Sequence, residues 1–298
     1  MALPSYATPV QRTYYYAYLF FCGVVFFFLV APLIAIVPIS FSVSPFMLFT
    51  DGMLSWPPDP DAWSLRWYKN MIGNCSADVV SSTVPCSTKW MTGTINSFFI
   101  GITATIIATT LGTLAALGLS RPHMPFKGII MAILISPMIV PLIITAAGMF
   151  FFYARINLVY TFTGVILAHV ALATPFVVIT VTATLVGFDM NMVKASQSLG
   201  AKPLRTFFKV IMPLILPGVI SGALFAFITS FDEVVIVMFM ASLDQLTIPK
   251  QMWAGIRQEI SPVILCMATC LVVLSIFLLT TVELLRRRSE KLRGITAR

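Results

Sequence analysis

The chain has 298 residues, of which 58% are hydrophobic and only 10% are charged, and its formal net charge is +8. A soluble domain carries about 25% charged residues, so this composition excludes a soluble globular protein. It predicts an all-α fold that crosses a membrane several times.

Six stretches are long and apolar enough to span a membrane, since one span takes about 20 mostly apolar residues. They cover residues 15–42, 94–119, 129–152, 159–186, 214–241 and 262–285. The predicted organisation is a tail, first span and long outer loop over 1–93, a five-helix core over 94–285, and a basic tail over 286–298. Within the third stretch, Pro137 and Pro141 are expected to kink the helix.

Lysine and arginine are unequally divided between the two sets of connections. Thirteen of the 19 lie in the N-terminal tail, the 120–128 and 187–211 connections and the C-terminal tail, and six lie on the opposite side. By the positive-inside rule, the first set faces the cytoplasm, and both termini are therefore expected there. The basic excess indicates anionic lipid as a partner and gives no indication of nucleic acid.

The cysteines fall into two groups. Cys75 and Cys86 share the long outer loop, and a disulfide between them is expected if that side is oxidising, with two free thiols as the alternative. The other three lie within predicted spans. No spacing of cysteine and histidine indicates a metal site, and no cofactor is expected.

The inner connection at 189–209 is predicted to form a helix, a glycine turn and a second helix. Asp189 suits an N-cap, and Gly200 suits the residue that follows a helix of about ten residues. Pro203 then opens a second, basic helix. Such an elbow can lodge in a groove of another protein or lie on the lipid surface, and the pattern favours neither.

The fifth stretch places Asp232 and Glu233 side by side in an apolar run. Since an acid at the centre of a span costs up to about 3 kcal/mol, the pair is expected to face a water-filled path, a partner subunit or a cation. A span over 218–240 would put both near the membrane midplane, next to Thr229. Three interpretations stay open: a station for a cationic solute, a structural hydrogen-bond network, and a proton relay.

Small residues recur at every fourth position of this stretch and predict close approach of another helix. They are Gly218, Gly222, Ala226 and Ser230. Beside the acids, the candidate solute-pathway residues are Thr229, Ser230 and His169, although a lone histidine in a membrane is more often a packing residue. Residues 246–262 are predicted to form a short external helix that acts as a gate, a docking edge or a plain connector.

The elbow resembles the coupling motif of ABC-importer permeases, E-A-A, three residues, Gly, nine residues, Ile-x-Leu-Pro. Ala195, Gly200 and Pro213 match the first alanine, the glycine and the proline. Lys194 replaces the glutamate, and Ser196 replaces the second alanine. The run LPGVISGALFAFITSFDEVV is similar to the fifth span of spermidine/putrescine-type permeases.

This resemblance implies a type I ABC-importer permease fold in a bacterial inner membrane, with a cytoplasmic coupling helix between spans four and five. It implies a second permease subunit, two ATPase subunits that clamp the elbow, and a solute-binding protein outside. It also implies ATPase contacts for Lys194, Ala195, Ser196, Gly200, Ala201 and Arg205. Because no G-x-x-x-x-G-K-[ST] pattern occurs, ATP hydrolysis is expected in separate subunits, and the chain is not expected to be an enzyme.

The expected solute is a polyamine or a related small amine, because two acids suit a polycation. The alternative is another small solute, such as an amino acid derivative, an opine or an organic anion. A proton-coupled secondary transporter would use the acids as a relay and work alone. A membrane scaffold would use them to hold subunits together.

Overall fold

The computed structural model describes residues 8–73, 88–121, 123–186, 188–189, 191–258 and 261–292. Within these ranges the secondary structure is helical, apart from one isolated antiparallel bridge between Ser42 and Trp63. The predicted all-α fold is confirmed. The predicted disulfide between Cys75 and Cys86 lies outside the described residues.

The chain divides into two compact units, Met1–Ser87 with Gln258–Leu278, and Thr88–Arg257 with Leu279–Arg298. The helices of the first unit are α1 (Pro9–Ser40), α2 (Asp51–Leu54), a 3₁₀ turn (Pro60–Ala62) and α3 (Arg66–Met71). The long helix α13 (Val263–Leu292) begins in this unit.

Side-chain hydrogen bonds fold the outer segment of the first unit back onto the end of α1. Tyr68 Oη lies 2.7 Å from Ser40 Oγ, and Trp67 Nε1 donates to Ser42 O at 2.9 Å. Cys266 Sγ of α13 donates to Ser40 O at 3.3 Å. The end of the first span and the segment that follows it are therefore held by α3 and α13.

The second unit contains the remaining helices. They are α4 (Lys89–Leu119), α5 (Lys127–Ile139), α6 (Leu142–Arg155), α7 (Phe162–Val186), α8 (Asn191–Ser198), α9 (Pro203–Thr206), a π-helical turn (Phe207–Ile211), α10 (Met212–Phe231), α11 (Val235–Met240) and α12 (Ile248–Gln258). In the described residues of the whole chain, five helices are long and apolar enough to cross a membrane, and α5 with α6 would form a sixth span.

The core of the second unit is formed by α4, α7 and α10. Val177 of α7 lies between Gly112 of α4 and Gly222 of α10, and a Cβ added to Gly112 would come within 2.7 Å of Val177 Cβ. A Cβ added to Gly218 would collide with Thr184. The stripe of small residues on α10 is buried against α7, and the predicted close approach of a second helix is confirmed.

The third span is broken. Its two halves, α5 and α6, are bent by 103° at a break at 140–141. Val140 is extended, with a ψ of 136°, because Pro141 disfavours the helical conformation in the residue before it and has no N–H to donate. Pro137 lies inside α5 without ending it, so Pro141 causes the predicted kink.

The fifth span is also broken, and here the expectation of one continuous helix to residue 241 is wrong. α10 ends at Phe231, and α11 begins at Val235. The carboxylate of Glu233 binds the first turn of α11, so this side chain begins a new helix instead of extending α10. The 20 residues of α10 alone cover about 30 Å. The acids therefore follow the end of α10 rather than lying near the centre of a span.

Candidate functional site

The two acids occupy the break at 232–234, and the structure gives them different environments. Glu233 is 8% exposed, and its Oε1 accepts a hydrogen bond from Ile236 N at 2.9 Å. Asp232 closes α10 with its backbone N–H, which donates to Ile228 O, and the residue is exposed. The carboxylate of Glu233 thus forms a hydrogen bond within the fold, whereas Asp232 is exposed.

The short helix α11 fixes the far side of this break. It has six residues, and Ile236, Val237 and Met240 are fully buried as it packs against α6 and α7. Met240 O accepts a hydrogen bond from Tyr160 N at 2.9 Å. An isolated helix of this length is not stable in water, so these contacts and caps hold α11 in place.

The C-terminal end of α11 is held by Lys250, the third residue of α12. Its Nζ donates to Ala241 O at 2.9 Å and to Val237 O at 3.3 Å, and burial lowers the pKa of the Lys250 ammonium from its ordinary value. Lys250 was not among the site residues predicted from the sequence. The only available signal was a lysine in the first turn of the predicted external helix.

His169, Ser230 and Thr229 lie near the end of α10. His169 is 1% exposed, and its Nδ1 lies 2.8 Å from Ser230 Oγ, which joins α7 to α10. His169 Nε2 is buried and has no hydrogen-bond partner in the described part of the chain. Ser230 is buried and Thr229 is half-buried. The pairing supports the packing interpretation of His169, and a role of these three residues in the pathway stays a prediction.

Three aromatic rings cluster at the end of α10 that precedes the acids. Phe231 precedes Asp232 in the chain, and its ring centroid is 5.1 Å from that of Phe98 on α4 and 5.3 Å from that of Phe227. All three side chains are half-buried. An aromatic face attracts cations, and a carboxylate does so more strongly, so this end of α10 combines two groups that suit an amine.

The predicted elbow is present. Asp189 Oδ1 accepts from Asn191 N at 2.9 Å at the start of α8. After α8, Gly200 has a φ of +80°, its N–H donates to Gln197 O, and Ala201 N donates to Ser196 O. This pair of hydrogen bonds is a Schellman motif, which requires a left-handed residue where the chain has Gly200. Both the predicted cap and the predicted turn are confirmed.

A hydroxyl pair fastens the two halves of the elbow. Ser196 Oγ lies 3.0 Å from Thr206 Oγ1. The serine that replaces the motif alanine therefore forms a hydrogen bond between the two halves of the elbow. Lys194, Ala195 and Arg205 are exposed, and Ala201 is half-buried. Two large apolar side chains are also open to the surroundings, Leu199 at 88% and Leu204 at 74% exposure. The elbow therefore presents leucines beside positive charges.

Comparison with known proteins agrees with this architecture. The profile of the family described as "Binding-protein-dependent transport system inner membrane component" matches residues 108–291. The chain is 28% identical over 270 residues to the spermidine/putrescine transport system permease protein PotC of Haemophilus influenzae, covering 91% of this chain and 96% of that protein. It is 29% identical over 252 residues to the putrescine transport system permease protein PotI of Escherichia coli K12, covering 82% and 81%.

A solved structure shares the fold. The structure is that of a bacterial ABC transporter involved in the import of the acidic polysaccharide alginate, and one of its chains superposes with a TM-score of 0.67 at 14% identity. The match covers 96% of this chain and 99% of that chain. The predicted type I permease fold is confirmed.

Proposed function

Since this chain belongs to the family of binding-protein-dependent transport system inner membrane components, we propose that it forms one half of the solute pathway of an ATP-driven importer. A second permease subunit forms the other half. Two ATPase subunits bind on the cytoplasmic side, and a solute-binding protein delivers the solute on the other side. The chain itself hydrolyses no ATP.

The elbow is the proposed ATPase contact. It carries the exposed leucines Leu199 and Leu204 and the exposed basic residues Lys194 and Arg205, and exposed apolar side chains among charges are typical of a docking surface. The positive-inside rule puts the elbow and both termini in the cytoplasm. With the elbow inside, α10 carries Asp232 to the outer side, because its 20 residues cover about the thickness of a bilayer core.

The proposed solute is a polyamine or a related small amine. The observation that carries this proposal is the exposed carboxylate of Asp232 at the helix break that follows Phe231. The relatives named for spermidine and putrescine transport support a cationic solute. An organic anion would be repelled by Asp232.

The proposed mechanism is alternating access, because one continuous helical run joins the elbow to Asp232. A single helical run over Pro203–Phe231 connects α9 at the elbow to the residue before Asp232. Movement of the elbow by the ATPases therefore shifts the carboxylate at the other end. The π-helical turn at Phe207–Ile211 is the point where this run can adjust, since such turns often occur at functional sites.

The test is ATP hydrolysis by the complete complex in nanodiscs, with its binding protein and a panel of polyamines, neutral solutes and anions. We expect stimulation by polyamines alone. Asp232→Asn should weaken that stimulation about tenfold or more, the factor for losing a hydrogen bond to a charged group. Asp244→Asn removes an exposed acid from the next connection and should behave as the unaltered protein. Stimulation by a neutral or anionic solute, or an Asp232→Asn response equal to that of the control, would overturn the proposal.

A further inference from the structure

Charged side chains hold both ends of α11. At its start, Glu233 Oε1 accepts from Ile236 N at 2.9 Å. At its end, Lys250 Nζ donates to Ala241 O at 2.9 Å and to Val237 O at 3.3 Å. Each charge has the sign that the helix dipole favours, negative at the N-terminus and positive at the C-terminus. The lysine comes from a different helix, so its contact is tertiary rather than local.

The end of α11 needs such a partner. A helix leaves its last four carbonyl groups without partners inside the helix, and α11 has only six residues. Tyr160 N donates to Met240 O, and Ala241 N donates to Val237 O. Lys250 Nζ adds a second donor for Val237 O and supplies the donor for Ala241 O. Among the described residues, removing the ammonium would leave the partly buried carbonyl of Ala241 without this donor, and an unpaired buried carbonyl costs more than a hydrogen bond gains when it forms.

The helix that carries Lys250 is itself fixed to the core. Ser97 Oγ of α4 accepts from Ile248 N at 2.8 Å. Asn96 Nδ2 donates to the carbonyls of Asp244 and Leu246 in the connection before α12. The start of α12 is therefore anchored on α4. The ammonium of Lys250 joins this anchored helix to the end of α11.

We propose that Lys250 is a positioning residue for the acid pair. Its ammonium fixes the end of α11, and α11 in turn fixes Glu233 and the carboxylate of Asp232 beside it. Lys250 does not contact the solute and acts through α11. A force on α12 from a partner on its open side reaches α11 through this ammonium. The proposal rests on the proposed function of Asp232, but its structural half is independent of the solute.

The experiment compares three variants in the assembled complex. Lys250→Met removes the ammonium but keeps the length of the side chain, and Lys250→Arg keeps the charge and the donors. Arg257→Met is the matched control, because Arg257 is exposed near the other end of α12. Hydrogen–deuterium exchange is followed on peptides covering 235–241, and polyamine-stimulated ATP hydrolysis gives the half-maximal polyamine concentration and the maximal rate.

We expect Lys250→Met to speed exchange in 235–241 about tenfold or more, the factor for a lost hydrogen bond to a charged group. The half-maximal polyamine concentration should rise several-fold, with a smaller change in maximal rate. Lys250→Arg should restore both readouts, and Arg257→Met should change neither. If Lys250→Met does not assemble, Lys250→Gln takes its place with the same expectations.

Unchanged exchange in Lys250→Met, or an equal effect of Arg257→Met, would show that Lys250 does not hold the end of α11. Faster exchange with an unaltered half-maximal concentration would overturn the positioning role. If polyamines fail to stimulate even the unaltered complex, the proposed solute is wrong, and the exchange measurement still decides whether Lys250 holds α11.

Discussion

The seam between α7 and α10 gives the sharpest prediction about the fold. In Gly222→Ala, the new Cβ would lie 2.5 Å from Thr180 Oγ1 and 3.1 Å from Val177 Cα. The hydroxyl can rotate away, but the Cα belongs to the backbone of α7, so the two helices must separate slightly. Overpacking of this kind costs about 1–3 kcal/mol. We expect a lower thermal unfolding midpoint for the purified complex.

Two further variants separate overpacking from other effects. Gly148→Ala on α6 is the control, since a Cβ there would meet nothing within 4 Å. It should leave the midpoint unchanged or raise it, because alanine favours a helix by about 1 kcal/mol over glycine. Adding Thr180→Ala to Gly222→Ala removes one of the two close contacts and should recover part of the loss. A midpoint for Gly222→Ala equal to that of the control would refute the close packing of α7 and α10.

Three other predictions concern the caps, the elbow and the outer loop. Glu233→Ala removes the side-chain acceptor for Ile236 N at the start of α11 and should cost about 0.5–2 kcal/mol in thermal unfolding. No loss would mean that this hydrogen bond is not formed. Gly200→Ala forces alanine to a φ of +80° and should cost about 1–2 kcal/mol. Transport-coupled ATP hydrolysis should fall more than the yield of assembled complex. A larger fall in assembly than in ATP hydrolysis would count against the elbow as the coupling element. Mass spectrometry of unreduced peptides should find Cys75 linked to Cys86, and two alkylated thiols would refute the disulfide.

Much of the fold follows from the sequence because each feature has a local cause. The length of the apolar runs determines the number of spans, and Gly200 ends α8 because few other residues adopt its backbone conformation. Pro141 breaks the third span through its own ring and its missing N–H. The small residues of α10 predict a close neighbour, although only the structure identifies α7 as that neighbour.

The break in the fifth span could not be predicted in the same way. No proline or glycine lies at 232–234, and the apolar run continues on both sides of the acids. At the break, Ile236 N donates a hydrogen bond to Glu233, and Lys250, which follows 17 positions after Glu233, binds the other end of α11. One of these hydrogen bonds is local and the other joins residues far apart in the sequence, and neither can be predicted from a hydropathy pattern. From the sequence, both acids were therefore expected within one continuous helix.

Uptake of radiolabelled putrescine into proteoliposomes that contain the complete complex tests the central claim most directly. The claim is that the exposed carboxylate of Asp232 receives a cationic solute. Asp232→Asn should lower the initial rate about tenfold or more at low putrescine, since it removes one charged partner, whereas Asp232→Glu should retain most of the rate. Transport by Asp232→Asn at the rate of the unaltered complex would contradict the claim.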